Sequence, residues 1–140
     1  MKSRIFNFLF VFAFSAWSAS AYSARPYYYL TINVNNILIH KGKMHIGIYN
    51  NEQDFDNKKY YAGTITDVKG KTFKIVFQLP KGTYAVQMFQ DTNNDNTMNS
   101  ILGAPLEPYG VSRNVSGFPS FKKTRFTLDK NKSINIKLKN

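Results

Sequence analysis

The chain has 140 residues and no cysteine, which excludes a disulfide-stapled domain, a lipid-attachment cysteine and a thiol nucleophile. Its 19 basic and 8 acidic side chains give a formal charge of +11 at pH 7. The basic residues are scattered along the chain rather than concentrated on one element, and this distribution argues against a nucleic-acid-binding protein.

An export signal is predicted for residues 1–23. Two basic residues lie at the start of this segment, as in an export signal. The apolar run that follows, over 5–17, is too short for an ordinary bilayer-spanning helix. The small residues that follow fit the A-x-A cleavage pattern, so we expect cleavage after Ala21 or Ser23. This predicts an exported protein, located in the periplasm or outside the cell, whose mature chain has no transmembrane segment.

The charge of the mature chain bears on its partners. Without the two basic residues of the signal segment, 17 basic and 8 acidic residues leave a net charge of +9. In an exported protein this charge favours an anionic envelope polymer, a glycan or another envelope protein as the partner. The alternative is a solvated basic surface that only aids solubility.

The chain from 24 to 140 is predicted to form a single all-β domain. Apolar and polar residues alternate in short runs, which is the period of strands with one buried face. The runs lie at 29–34, 44–49, 60–66, 73–77, 84–89, 126–128 and 134–138. A short helical turn is expected within 51–59. About seven such strands favour an antiparallel β-sandwich of immunoglobulin-like or prealbumin-like architecture.

The turn between the third and fourth runs is expected to make a hairpin. The residues at 67–70 read Asp-Val-Lys-Gly, which are typical of a tight turn. They separate two strands of similar length, so the strands at 60–66 and 73–77 are predicted to pair with each other.

Motifs between residues 80 and 121 resemble those of one protein family. They comprise Pro80, Gly82 and Tyr84; Asp91 and Asn93; Leu102, Gly103, Pro105, Glu107, Tyr109, Gly110 and Ser112; and Pro119 with Phe121. Together they resemble domain-of-unknown-function family 2141, which consists of small exported bacterial proteins. The resemblance implies a β-sandwich and an exported location, and it implies no activity because none is settled for the family. Asn96 stands where the family usually has Gly, and Asn also tolerates positive φ.

Oxygen-bearing side chains alternate just after the run at 84–89 and predict a weak calcium site. The predicted ligands are Asp91, Asn93, Asp95, Thr97 through its carbonyl, and Asn99. Leu102 stands where an EF-hand has Glu, so the cage would be partial, with an affinity of about 0.1–1 mM. The alternative, which we favour, is an Asx-turn loop whose side chains bond their own backbone amides. We expect that the chain requires no cofactor.

The chain offers little that resembles catalytic machinery. His40 and His45 are five residues apart, a spacing that points strand side chains to opposite faces, and each is expected to be an exposed polar residue. The segment around Ser112 lacks the second glycine of a nucleophile elbow. We therefore expect no enzymatic activity, with a small hydrolase as a distant alternative.

A second cluster of polar residues follows the predicted calcium loop. Glu107, Tyr109, Ser112, Arg113 and Asn114 gather hydrogen-bonding groups and an aromatic ring within eight residues. They are predicted to form a binding loop for a glycan or peptide. The alternative, which we favour, is architectural, with the tyrosine pinning the loop over one end of the sandwich.

These features together predict an exported, non-enzymatic envelope or binding module of unknown ligand. The loop at 91–121 is its predicted functional surface, because long ordered loops between strands often carry function. The alternative is a calcium-stabilised adhesive or glycan-binding domain that uses the same loop.

Overall fold

The computed structural model describes residues 24–140, and the predicted signal peptide at 1–23 lies outside the described residues. The strands are β1 (Tyr27–Asn35), β2 (Lys43–Tyr49), β3 (Ala62–Asp67), β4 (Phe73–Pro80), β5 (Gly82–Asp91), β6 (Ser100–Ile101), β7 (Ala104–Pro105), β8 (Tyr109–Val111), β9 (Phe126–Leu128) and β10 (Lys132–Lys137). The helices are α1 (Glu52–Asp56) and α2 (Phe121–Thr124), and a 3-10 turn covers Ser112–Asn114.

The longer strands form two sheets. One sheet has three strands in the order β10-β1-β4, and the other has the order β3-β2-β5-β8, with β9 also paired to β5. Strands β6 and β7 form a separate small hairpin. The pairing of β1 with β10 is parallel, and the remaining pairs described are antiparallel. The all-β prediction is therefore confirmed.

One hydrophobic core gathers side chains from both sheets. Along the longer strands every second residue points inward, as the sequence alternation predicts. The buried members include Leu30, Ile32, Val34, Met44, Ile46, Ile48, Val86, Met88, Leu128 and Ile136. Burying one such side chain contributes roughly 1.5–3 kcal/mol, so this shared core is the main force holding the sheets together.

The seven predicted strands and the helical turn are confirmed, but the predicted hairpin is wrong. Strand β3 pairs with β2, whereas β4 pairs with β1, so the turn at 67–70 crosses from one sheet to the other. Alternation tells which face of a strand is buried and does not tell which sheet the strand joins. The helical turn begins at Asn51, whose side chain accepts a hydrogen bond from the Asp54 backbone N–H at 2.8 Å.

The two short helices cover one end of the outer face of the five-stranded sheet. Tyr49, Phe55, Ala85 and Phe121 form a second buried cluster there. The Tyr49 and Phe55 rings meet edge to face at 5.2 Å, a favourable aromatic geometry. The two helices leave the rest of that outer face uncovered.

None of the helices within residues 24–140 has the length and apolar character needed to cross a membrane.

Candidate binding cleft

A cleft of about 640 Å³ lies on the outer face of the five-stranded sheet. Its floor includes His45 of β2 and Gln87 and Phe89 of β5, which alternate with core residues and therefore point away from the core. The His45 and Phe89 rings stack with their centres 4.6 Å apart. Most of the lining is apolar or aromatic, and the volume falls within the range of small-molecule sites.

Three segments from distant parts of the chain form the walls. The first is the flap, which we define as residues 92–108 between β5 and β8; the second is the segment at 117–119, which carries the exposed ring of Phe118. The third brings Lys58 and Tyr60 from the connection between α1 and β3. A Cβ at Gly47 would lie 2.5 Å from the Tyr60 ring, so glycine lets that ring lie against β2.

Asp91 anchors the flap at the end of β5. Its carboxylate is completely buried and accepts hydrogen bonds from the backbone N–H groups of Asp95 at 3.2 Å and Asn96 at 2.9 Å. Its Oδ2 also lies 3.5 Å from His45 Nε2, a contact that does not meet hydrogen-bond geometry. Asn96 adopts φ 61°, as its tolerance of the left-handed region predicts. The first turn of the flap therefore folds around one buried carboxylate.

Asp95 organises the exposed tip of this turn. It accepts hydrogen bonds from the Asn93 and Asn99 side-chain amides at 2.8 and 2.9 Å, and from the Thr97 hydroxyl and backbone N–H at 2.7 and 2.9 Å. These donors, the Asn99 amide first, lower the pKa of Asp95 well below its usual value. The tip is thus an Asx-type turn, closed by its own side chains.

Glu107 ties the two ends of the flap together. It is buried, and its two carboxylate oxygens accept hydrogen bonds from the backbone N–H groups of Thr92 at 2.9 Å and Asn99 at 3.3 Å. The flap therefore lies over the sheet as an ordered cover, with the β6–β7 hairpin at its outer end.

A protein-family model matches residues 32–137. Its description is "Uncharacterized protein conserved in bacteria (DUF2141)". The chain belongs to DUF2141. The match confirms the resemblance predicted from the motifs, and it spans the strands, the flap and every wall of the cleft. Comparison with curated proteins and with solved structures finds no match for this DUF2141 chain.

The DUF2141 structure brings the predicted calcium residues into one turn, where they bond mainly to one another. Asp91 and Asp95 accept hydrogen bonds from N–H and O–H donors, with the Asn93 and Asn99 amide nitrogens directed at Asp95. No group of three or more His, Asp or Glu side chains suited to a metal occurs within the described part of the chain. Calcium binding would require those amides to rotate, and it stays a prediction.

The predicted binding loop of this DUF2141 protein is divided among several places. Tyr109 is half-buried and lines the cleft, with the Lys139 ammonium 5.5 Å from its ring centre. Arg113 is exposed, with φ 65°. Asn114 bonds the β10 backbone, donating to Asn135 O at 3.0 Å and accepting from Lys137 N at 2.8 Å. Tyr109 is thus the member of this set that faces the cleft.

Ser112 is predicted to stabilise the DUF2141 fold rather than to contact a ligand. Its hydroxyl is fully buried, donates to the Thr124 carbonyl at 2.7 Å and accepts from the Val86 N–H at 3.0 Å. Ser112→Ala is expected to lower the free energy of unfolding by about 1–3 kcal/mol, because two buried polar groups lose their partner. Urea unfolding measures the loss. A variant as stable as the parent protein would contradict this role.

Sequence reasoning missed the polar residues on the floor of the DUF2141 cleft. His40 is exposed as expected, but the expectation for His45 is wrong, since it is 7% exposed beneath the flap. The sequence around Gln87 shows only strand alternation, and that around Lys58 shows only a basic loop, so neither residue was predicted to bind a ligand. The two side chains meet because the connection after α1 folds back over β5, and no local sequence pattern predicts this contact.

Proposed function

We propose that this protein is an exported, non-enzymatic binding module of the bacterial envelope, folded as an immunoglobulin-like or prealbumin-like sandwich after a cleaved signal peptide. Its ligand-binding site is the cleft beneath the flap. The ligand is a small molecule with an apolar body. The single observation that carries this proposal is the cleft itself, about 640 Å³ in volume and lined mainly by apolar and aromatic side chains.

The arrangement of the flap supports a preformed site. The buried carboxylates of Asp91 and Glu107 hold the flap at both ends, so its inner surface is ordered without a ligand. A preformed cleft loses less conformational entropy on binding than a disordered loop would. The predicted functional surface at 91–121 therefore contributes to the site as one wall of the cleft.

The hydroxyl groups near the cleft support a role in binding rather than catalysis. The Ser112 hydroxyl donates to the Thr124 carbonyl, and the Thr97 hydroxyl donates to Asp95. A nucleophile needs a sufficiently strong base within hydrogen-bonding reach. The Ser112 hydroxyl faces a carbonyl, and Asp95 is a weak base because its hydrogen-bond donors lower its pKa. His45 and Asp91 in turn make their contact with each other on the floor.

Blocking the cleft tests the proposal. Ala104 is exposed and lines the cleft from the β6–β7 hairpin, so Ala104→Trp places a large ring in the space for the ligand without disturbing the core. The neutral fluorescent probe N-phenyl-1-naphthylamine is expected to bind the unmodified protein. Its affinity for Ala104→Trp is expected to fall at least about tenfold.

The matched control places the same ring elsewhere. Thr127 is exposed on β9 and does not line the cleft, so Thr127→Trp is expected to bind the probe as the parent protein does. The proposal is overturned if the parent protein does not bind the probe. It is equally overturned if the two tryptophan variants bind it with the same affinity.

A further inference from the structure

The cleft has one polar corner, formed by Lys58 and Gln87. The Lys58 ammonium donates to Gln87 Oε1 at 3.0 Å. This bond fixes the orientation of the amide, because the oxygen must face the lysine. Gln87 Nε2 is therefore turned the other way. It is buried and has no hydrogen-bond partner within residues 24–140, although a buried amide group is costly when unpaired.

Lys58 is held at this corner by its backbone and by an aromatic ring. It follows α1 and adopts φ 56°, the left-handed conformation that commonly ends a helix, and its N–H bonds the Phe55 carbonyl. Its stem is exposed, but its ammonium lies 5.3 Å from the centre of the Phe55 ring. Burial of the ammonium lowers the pKa of Lys58, against the opposing effect of Asp56. The group is thus a partly desolvated cation.

The fully charged side chains that line the cleft have one sign. Among the described residues that line it, Lys58 carries a full positive charge and none is acidic. Outside the lining, Asp91 is already bonded to the flap and faces His45, and Asp56 acts on Lys58 electrostatically. A ligand that reaches the corner therefore meets a cation with N–H groups beyond the one bonded to Gln87, and beside it an N–H donor that lacks an acceptor.

We infer that the cleft binds a single-chain amphiphile whose carboxylate head lies between Lys58 and Gln87. The inference rests on the proposed function and specifies its ligand class. The carboxylate would accept a hydrogen bond from the Lys58 ammonium, and a second from Gln87 Nε2 once the amide, which solvent does not reach, turns toward it. The apolar body would lie along Phe89 and Tyr109, between the flap and Phe118. The site thus combines charge complementarity at one end with apolar burial along the rest.

Paired probes test the inference. Decanoate and 1-decanol share an apolar chain and differ in the head group, and calorimetric titration measures both affinities. The parent protein is expected to bind decanoate at least about tenfold more tightly than decanol. Lys58→Met keeps an apolar stem and removes the charge. It is expected to weaken decanoate binding by about tenfold to a hundredfold and to leave decanol within about twofold.

The control variant is the neighbouring lysine. Lys59 is exposed and does not line the cleft, so Lys59→Met removes the same charge and is expected to leave both affinities unchanged. Equal losses of decanoate affinity in the two variants would show that the effect of Lys58 comes from net charge alone, and this result would overturn the inference. If decanoate binds no more tightly than decanol while the neutral probe still binds, the inference fails and the proposed function stands. If neither the probe nor decanol binds, the proposed function fails as well.

Discussion

Gly42→Ala is expected to destabilise the protein by about 3–4 kcal/mol, the sum of a backbone cost and an overpacking cost. Gly42 has φ 79°, where an L side chain costs roughly 1–2 kcal/mol. A Cβ at this position would also overlap the backbone carbonyl of Asp91 and lie 3.0 Å from Thr92 Cα. Backbone atoms cannot rotate away as a flexible side chain can, so the turn before β2 must separate from the end of β5. The midpoint and slope of urea unfolding measure the effect.

Gly103 provides the matched control for this substitution. It has φ 81°, almost the same as Gly42, but a Cβ there would meet nothing within 4 Å. Gly103→Ala therefore carries the backbone cost alone and is expected to lose about 1–2 kcal/mol. The difference between the two variants isolates the contact with Asp91. Equal losses of stability in both variants would contradict the prediction, because they would show that the turn before β2 can move away from Asp91 at no cost in free energy.

Asp91→Ala is expected to lower the free energy of unfolding by about 2–3 kcal/mol. The substitution removes the buried acceptor of the Asp95 and Asn96 backbone N–H groups, and hydrogen bonds to charged groups are worth more than neutral ones. It also removes the group that faces His45. The first turn of the flap is expected to loosen, so faster amide hydrogen exchange at residues 95–99 should accompany the loss of stability.

Two further variants separate the anchoring role of Asp91 from a general charge effect. Asp91→Asn keeps one acceptor oxygen and is expected to lose about half as much stability as the alanine variant. Asp67 is exposed at the end of β3, so Asp67→Ala removes the same charge and is expected to change stability by no more than about 0.5 kcal/mol. A loss at Asp91 no larger than that at Asp67 would mean that the flap does not depend on its buried carboxylate.

The strands, the helical turn and the first turn of the flap could be predicted from the sequence because each depends on residues that are close together in the chain. Alternation placed the strand at 44–49 and gave Ile46 and Ile48 their buried positions. The side chain of Asn51 begins a helical turn by bonding the N–H of Asp54, three residues away. The Asp and Asn residues after Asp91 likewise bond within a few positions of themselves, so the Asx-turn alternative follows from spacing alone.

Contacts between distant residues could not be predicted in the same way. The short strand at 109–111 pairs with β5, and only three residues carry its pattern. Alternation along β2 predicts that His45 is exposed, because its side chain does point away from the core. The flap buries it, and the flap is held by Glu107, more than sixty positions further along the chain.

The sequence by itself determined the all-β class, the positions of the longer strands and the polar chemistry of the flap, because each depends on neighbours within about ten residues. It also determined the family, because the family motifs are read directly from residue identity and order. Tertiary structure alone decided which sheet each strand joins and where the cleft lies. Lys58 meets Gln87 across 29 positions, and Phe118 approaches from another connection. Such contacts between distant residues depend on how the two sheets pack around one core. That packing is a property of the whole chain, and no short sequence pattern encodes it.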